Sequence, residues 1–184
     1  TADDLKRVVD HGLLGWPIKA NLGAATGFNW KMNWSGKTFL PPQAIPEELD
    51  YDMWLGPAPY KPYHPHRVHG TFRGYWDYDG GGLGDMSQHY VDPIQYVMNK
   101  DEESPVEIVP DTVQQHPDAV RPWRTVKLAY ADGCEILFDN VSRGRVPLLE
   151  GPEGRLYKNW ETDVPGLTRR YVQSLPDVRE PQIK

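Results

Sequence analysis

Hydrophobic and polar positions alternate most regularly between Thr125 and Phe138. Val126, Leu128 and Tyr130 fall on one side of an extended chain, and Thr125, Lys127 and Ala129 on the other. Cys134, Ile136 and Phe138 repeat the pattern, and Ala131-Asp132-Gly133 between the two runs is hairpin turn chemistry. This predicts two antiparallel strands sharing one apolar face. Val106-Glu107-Ile108-Val109 and Val113 predict a further strand interrupted by Pro110, and residues 144–157 one more, entered through a glycine turn. Within 17–30, the spacing of Ile18, Ala20, Leu22 and Ala24 suits a strand at the head of the sheet.

A 3.6-residue rhythm marks the helices. Asp3 to His11 reads as a short helix with acids early and Gly12 or Gly15 as its stop. Leu83, Met86, Tyr90, Ile94, Val97 and Met98 form an apolar stripe, which predicts one helix from Gly84 to Asn99. Pro93 interrupts it, so a kink is expected, or a restart with Asp92 as cap. Leu167 to Leu175 forms a last short helix before Pro176. Between these lie irregular stretches. Ser35-Gly36-Lys37 reads as a turn and 41–48 as a proline-rich loop, and Trp54-Leu55-Gly56-Pro57-Ala58-Pro59 as a rigid, extended packing clamp. Together these elements predict an α+β domain: an open, mostly antiparallel sheet with helices packed on one side.

Composition narrows the classes. With 184 residues the chain is one domain over 1–184, and 18 prolines with 17 glycines account for its many loops. A net charge of −6 argues against general nucleic-acid binding. No run of about 20 apolar residues is present, so no membrane span is expected, and no signal-peptide pattern is seen. The compartment stays open: cytoplasmic, or periplasmic if a parent protein carries an export signal. The single Cys134 excludes an internal disulfide and reads as a small core residue.

The chemistry-bearing residues concentrate in 51–98. Asp85, His89 and Asp92 recur at one helical face, which suits a histidine base held by a carboxylate one turn away, although Asp85 could equally be a simple cap. Arg67 and Arg73 suit a substrate carboxylate, or pairing with Asp77, Asp79 or Asp85. Tyr75, Trp76 and Tyr78 suit stacking against a pyranose face, or core filling. His64, His66 and His69 have a zinc-like spacing, but Pro65 makes a loop that splays them, and no metal is expected.

The run WLGPAP, followed by PYHPHRVHGTFRGYWDYDGGGLGDMSQHYVD, resembles the C-terminal domain of the Gfo/Idh/MocA oxidoreductases, named for glucose–fructose oxidoreductase and inositol dehydrogenase. The likeness is specific across 51–92 and collinear over most of the remainder. It implies a nicotinamide-dependent parent enzyme acting on a sugar or cyclitol, with Asp85 and His89 catalytic and His89 the general base. Beside them, from their own chemistry and not from the resemblance, His69, Arg67, Arg73, Tyr75 and Trp76 are read as substrate-binding. NAD or NADP is bound mainly by a preceding Rossmann domain, and no G-x-G-x-x-G occurs in this chain. The chain is therefore read as an excised domain, inactive alone, that holds no cofactor and self-associates through its sheet. Two other readings remain: the same domain of a glycosidase using transient oxidation, or a non-catalytic carbohydrate-binding or oligomerisation module.

Overall fold

A reciprocal cap starts the first helix. The Thr1 hydroxyl accepts the Asp4 N–H at 3.2 Å, while the Asp4 carboxylate takes the terminal amine at 3.2 Å. The structure is a computed structural model that describes residues 1–23, 25, 26, 30 and 32–178. In chain order its elements are α1 (Ala2–Asp10), β1 (Lys19–Gly23), α2 (Tyr51–Leu55), α3 (Gly81–Met86) and α4 (Gln88–Val97). There follow β2 (Glu107–Thr112), β3 (Trp123–Ala129), β4 (Glu135–Asp139), β5 (Leu149–Gly151), β6 (Gly154–Leu156) and α5 (Arg169–Ser174). Short 3-10 turns occupy Met32–Trp34, Pro65–Arg67 and His69–Gly74.

The chain divides into two compact units. The first comprises 1–29, 89–111 and 124–184; the second comprises 30–88 and 112–123.

The sheet orders its strands β2-β3-β4-β1-β5-β6. The β3–β4 hairpin forms where alternation predicts it: Gly133 adopts φ +89, and Val126 opposes Phe138 while Leu128 opposes Ile136. β1 lies parallel to β4, with Ala20 beside Ile136 and Leu22 beside Phe138. The remaining registered pairs, β1–β5 and β5–β6, are antiparallel. An α+β architecture with an open, mostly antiparallel sheet results. Across the strands Leu156, Leu149, Ala20, Ile136 and Leu128 form one apolar row, and all but half-buried Leu128 are buried. The opposite face carries Arg155, Glu150, Lys19 and Glu135 in register, with Glu135 paired to Lys19 at 3.2 Å and Lys127 at 3.5 Å. Charges alternate in sign along this row, so neighbouring strands attract rather than repel.

α1, α4 and α5 bury Val8, Val9, Ile94, Val97 and Val172. α4 closes at Asn99 (φ 57), with the Lys100 N–H reaching the Gln95 carbonyl at 2.8 Å. Lys100 itself is 1 % exposed and pairs with Asp132 at 2.5 Å and Glu103 at 2.8 Å. Its ammonium also lies over the rings of Trp16 and Tyr130, at 5.4 and 5.2 Å.

Several boundaries differ from expectation. β1 is five residues long, and positions 24 and 27–29 of the longer predicted strand lie outside the described residues. β2 passes through Pro110, as an edge strand can, because a position facing away from the neighbouring strand needs no N–H and proline has none. The single strand expected over 144–157 is a tight hairpin, β5 and β6, that turns at Pro152-Glu153. Trp54 and Leu55 are helical, at the end of α2, and Gly56-Pro57-Ala58 turn the chain instead of extending it. The long helix expected from Gly84 is two helices, α3 and α4. They separate at Ser87, not at Asp92-Pro93, and Ser87 keeps right-handed backbone angles (φ −61, ψ −36). α4 instead runs through Pro93, which leaves the His89 carbonyl without its usual donor one turn on.

In the second unit, Tyr51, Leu55, Tyr63 and Val68 form a buried cluster with Trp54 and Tyr78 against it. Segment 118–120 is pinned to 74–76 by backbone bonds from Val120 N–H to Gly74 O and from Trp76 N–H to Asp118 O, at 2.9 and 3.3 Å. Gly36 crosses here so closely that a Cβ would lie 2.0 Å from the Gly74 oxygen, which only glycine permits. Among the described residues no helix is long and apolar enough to cross a membrane.

Candidate functional site

The second unit brings together two charged clusters. Arg73, leaving the 3-10 turn His69–Gly74, donates Nε–H to Asp85 Oδ2 at 2.7 Å and lies 3.9 Å from Asp79. Its guanidinium also covers the Trp34 ring at 4.4 Å and the Phe72 ring at 4.8 Å. One cation thus serves two carboxylates. Burial raises the Asp79 carboxyl above its ordinary value, and the Asp85 charge adds to this, while the Gly80 N–H and Arg73 oppose it. The result is an acceptor-rich patch beside aromatic rings, suited to hydroxyl donors.

The other cluster is structural in kind. Arg67 is buried and pairs with Asp118 at 2.6 Å, and Lys61 reaches the same carboxylate at 3.1 Å and Asp77 at 3.4 Å. Burial penalises the Asp118 charge, but hydrogen bonds from Arg67 and Lys61 outweigh this and hold its carboxyl below the usual range. Arg67 also lies 4.6 Å over the Tyr75 ring. Asp118 was not singled out from the sequence, since nothing local marks a partner 51 positions away from Arg67.

The predicted residues separate by environment. Tyr75 is 0 % exposed, its hydroxyl 2.7 Å from His66 Nδ1 and accepting the Lys37 N–H at 3.3 Å. Its ring therefore faces no ligand. Burial, with the charge of Lys37, pushes the His66 imidazole down, which favours its neutral form. Trp76, by contrast, is 47 % exposed, and its indole N–H donates to the His116 carbonyl at 3.0 Å. Of the open alternatives for these aromatics, filling a core thus describes Tyr75, and an available surface describes Trp76. Tyr78 is half-buried against Trp54. His69 is exposed in a left-handed backbone (φ 53).

His64, His66 and His69 do not converge. His64 Nδ1 accepts the His66 N–H at 3.0 Å, and His66 is turned to Tyr75. Among the described residues no group of three or more His, Cys, Asp or Glu is placed to hold a metal ion. Cys134 is buried and its thiol is pushed up to about 12 by burial, as befits a core residue.

His89 lies on the first turn of α4, exposed, within the first unit, whereas Asp85 belongs to α3 in the second. They do not share one continuous helix as the spacing implied. Asp92 is exposed on α4 as well.

The glycine run that caps and opens α3 does not fit a dinucleotide. Its first amide, Gly80 N–H, already bonds Asp79 Oδ1 at 2.5 Å, and carboxylates of Asp79 and Asp85 flank it where a pyrophosphate would need positive or neutral groups.

A family model described as "Oxidoreductase family, C-terminal alpha/beta domain", that of the Gfo/Idh/MocA group, matches residues 1–184. The chain belongs to that family. No individual curated protein matches it.

Proposed function

We propose that this chain is the substrate-binding and catalytic-base domain of an NAD(P)-dependent oxidoreductase acting on a sugar or cyclitol. The observation that supports this most is the 2.7 Å pair between Arg73 and Asp85, the latter within the GGGLGDMSQH run, which ends in the exposed residue His89. Arg73 fixes the Asp85 carboxylate as an acceptor for a substrate hydroxyl. His89 takes the proton of the hydroxyl at the carbon being oxidised. Trp76 and His69, both exposed, supply surface for the ring, while buried Arg67 and Tyr75 position the loop that carries Arg73. The nicotinamide is held by a Rossmann domain of the parent protein, because nothing in the glycine run suits it. The sheet face opposite the apolar row, which carries the Arg155, Glu150, Lys19 and Glu135 charges across its strands and half-buried Leu137 on β4, is the surface through which the domain pairs with a second copy.

The test joins the chain to its dinucleotide-binding domain and offers monosaccharides and cyclitols with NAD and then NADP. Reduction of the nicotinamide by one of them supports the reading. Release of a free aglycone from glycosides without net reduction would shift it to a glycosidase, and no turnover with any polyol would refute it.

A further inference from the structure

A cavity of about 600 Å³ opens in the second unit, lined by Trp54, Phe72, Asp77, Tyr78 and the prolines of 57–59. That volume falls within the roughly 300–1,000 Å³ of small-molecule sites. Its shape and its donors restrict what fits. The Trp54 and Tyr78 rings meet at 75° with centroids 5.1 Å apart, and Tyr51 is stacked on Trp54 at 5.8 Å. The walls make a rigid corner, not a slot between parallel faces, so a flat aromatic ligand gains little there. A saturated ring, which presents C–H groups to both walls, gains at each.

The rim offers acceptors without backbone donors. Pro57 and Pro59 have no N–H, and the Gly56 and Ala58 N–H groups are spent on Asp52 and Leu55 carbonyls at 3.1 Å each. Along 56–59 an anionic ligand therefore finds no free backbone donor. Asp77 supplies the carboxylate, and its charge is already balanced by Lys61 at 3.4 Å, so a cation is not called for. What remains is a neutral ligand rich in hydroxyl donors.

The cavity also adjoins the proposed site. Phe72 lines it, and the Arg73 guanidinium packs 4.8 Å from that ring while bonding Asp85 at 2.7 Å.

We propose that this cavity receives a second sugar ring, so that the substrate is a disaccharide or glycoside and not a lone monosaccharide. The inference rests on the sugar-oxidoreductase reading for its biological sense, but its binding test does not.

The chain is titrated with cellobiose, maltose and lactose, and with glucose and galactose, following tryptophan fluorescence and saturation-transfer NMR. At least one disaccharide binds about five- to tenfold tighter than either monosaccharide, the increment expected of an added aromatic wall. Ala58→Met fills the cavity without removing any wall, keeps the melting temperature, and abolishes that difference. Phe72→Leu, which keeps an apolar side chain but removes the ring face, weakens disaccharide binding about threefold or more. Equal affinity for one and two rings, no saturable disaccharide binding, or an undiminished difference in Ala58→Met each overturns the proposal. In the joined enzyme, loss of the disaccharide preference in KM with kcat retained supports it. Full turnover by His89→Ala would instead overturn the assignment of the base and leave the cavity result standing.

Discussion

Removing the buried ammonium of Lys100 tests how the first unit is held together. In Lys100→Met the methylene stem is kept, but Asp132 and Glu103 lose a cation at 2.5 and 2.8 Å, and Trp16 and Tyr130 lose a cation–π partner. Breaking a buried pair from one side costs about 3–5 kcal/mol. Here the acids are 32 % and 49 % exposed, so water recovers part of their solvation and the Coulomb contribution must be discounted. The expected loss is about 2–3 kcal/mol, or a fall in melting temperature of roughly 4–12 °C for a chain of this size. The pH dependence follows from the shifts. Burial opposes ionisation of Asp132, yet bonds from Lys100 and the Cys134 N–H depress its carboxyl overall. That stabilisation is present above the unfolded carboxylate value near 3.9 and is lost as pH falls through the lower folded value. For Lys100, burial favours the neutral amine, but Asp132 and Glu103 prevail and raise it. Its stabilisation is full below about 10.4 and is lost as pH rises through the higher folded value. Urea unfolding at several pH values, with Asp132→Asn and the double variant, reads the coupling directly. A loss below about 0.5 kcal/mol, or an acid limb identical in wild type and Lys100→Met, would refute the account.

Five further outcomes are expected. In the joined enzyme, His89→Ala lowers kcat by about 10²–10⁴ with little change in KM, and Asp85→Asn costs less, because Asn still accepts a bond from Arg73; steady-state kinetics decide both. Trp76→Ala raises KM while stability falls by only about 1 kcal/mol, against the roughly 3–5 of a buried aromatic, which a melting curve distinguishes. The chain alone binds neither NAD nor NADP, and a micromolar dissociation constant by calorimetry would contradict the reading of the glycine run. Sedimentation at high micromolar concentration shows self-association that Leu137→Lys weakens, whereas a clean wild-type monomer would remove the sheet face as an interface.

Local chemistry was enough for the elements whose stabilising contacts are close in sequence. The β3–β4 hairpin is legible because Asp132-Gly133 turns the chain and the alternation pairs Val126 with Phe138 across it. α1 is legible from its early acids and the glycines that follow, and the structure adds the Thr1–Asp4 cap within its first turn. The motif from 51 to 92 likewise placed the chain in its family. What the pattern could not supply is every contact made across long stretches of chain. Neighbouring Tyr75 and Trp76 carry no mark that one is buried and the other exposed, a difference decided when segment 118–120 docks on 74–76. Arg67 offered several acids nearby and chose Asp118, 51 positions on. The helix break fell at Ser87 although Pro93 was the evident breaker, since a proline near the start of a helix orphans only one carbonyl. Side-chain rhythm reports which face seeks the interior; which partner meets it there depends on closing loops whose entropy no local window contains.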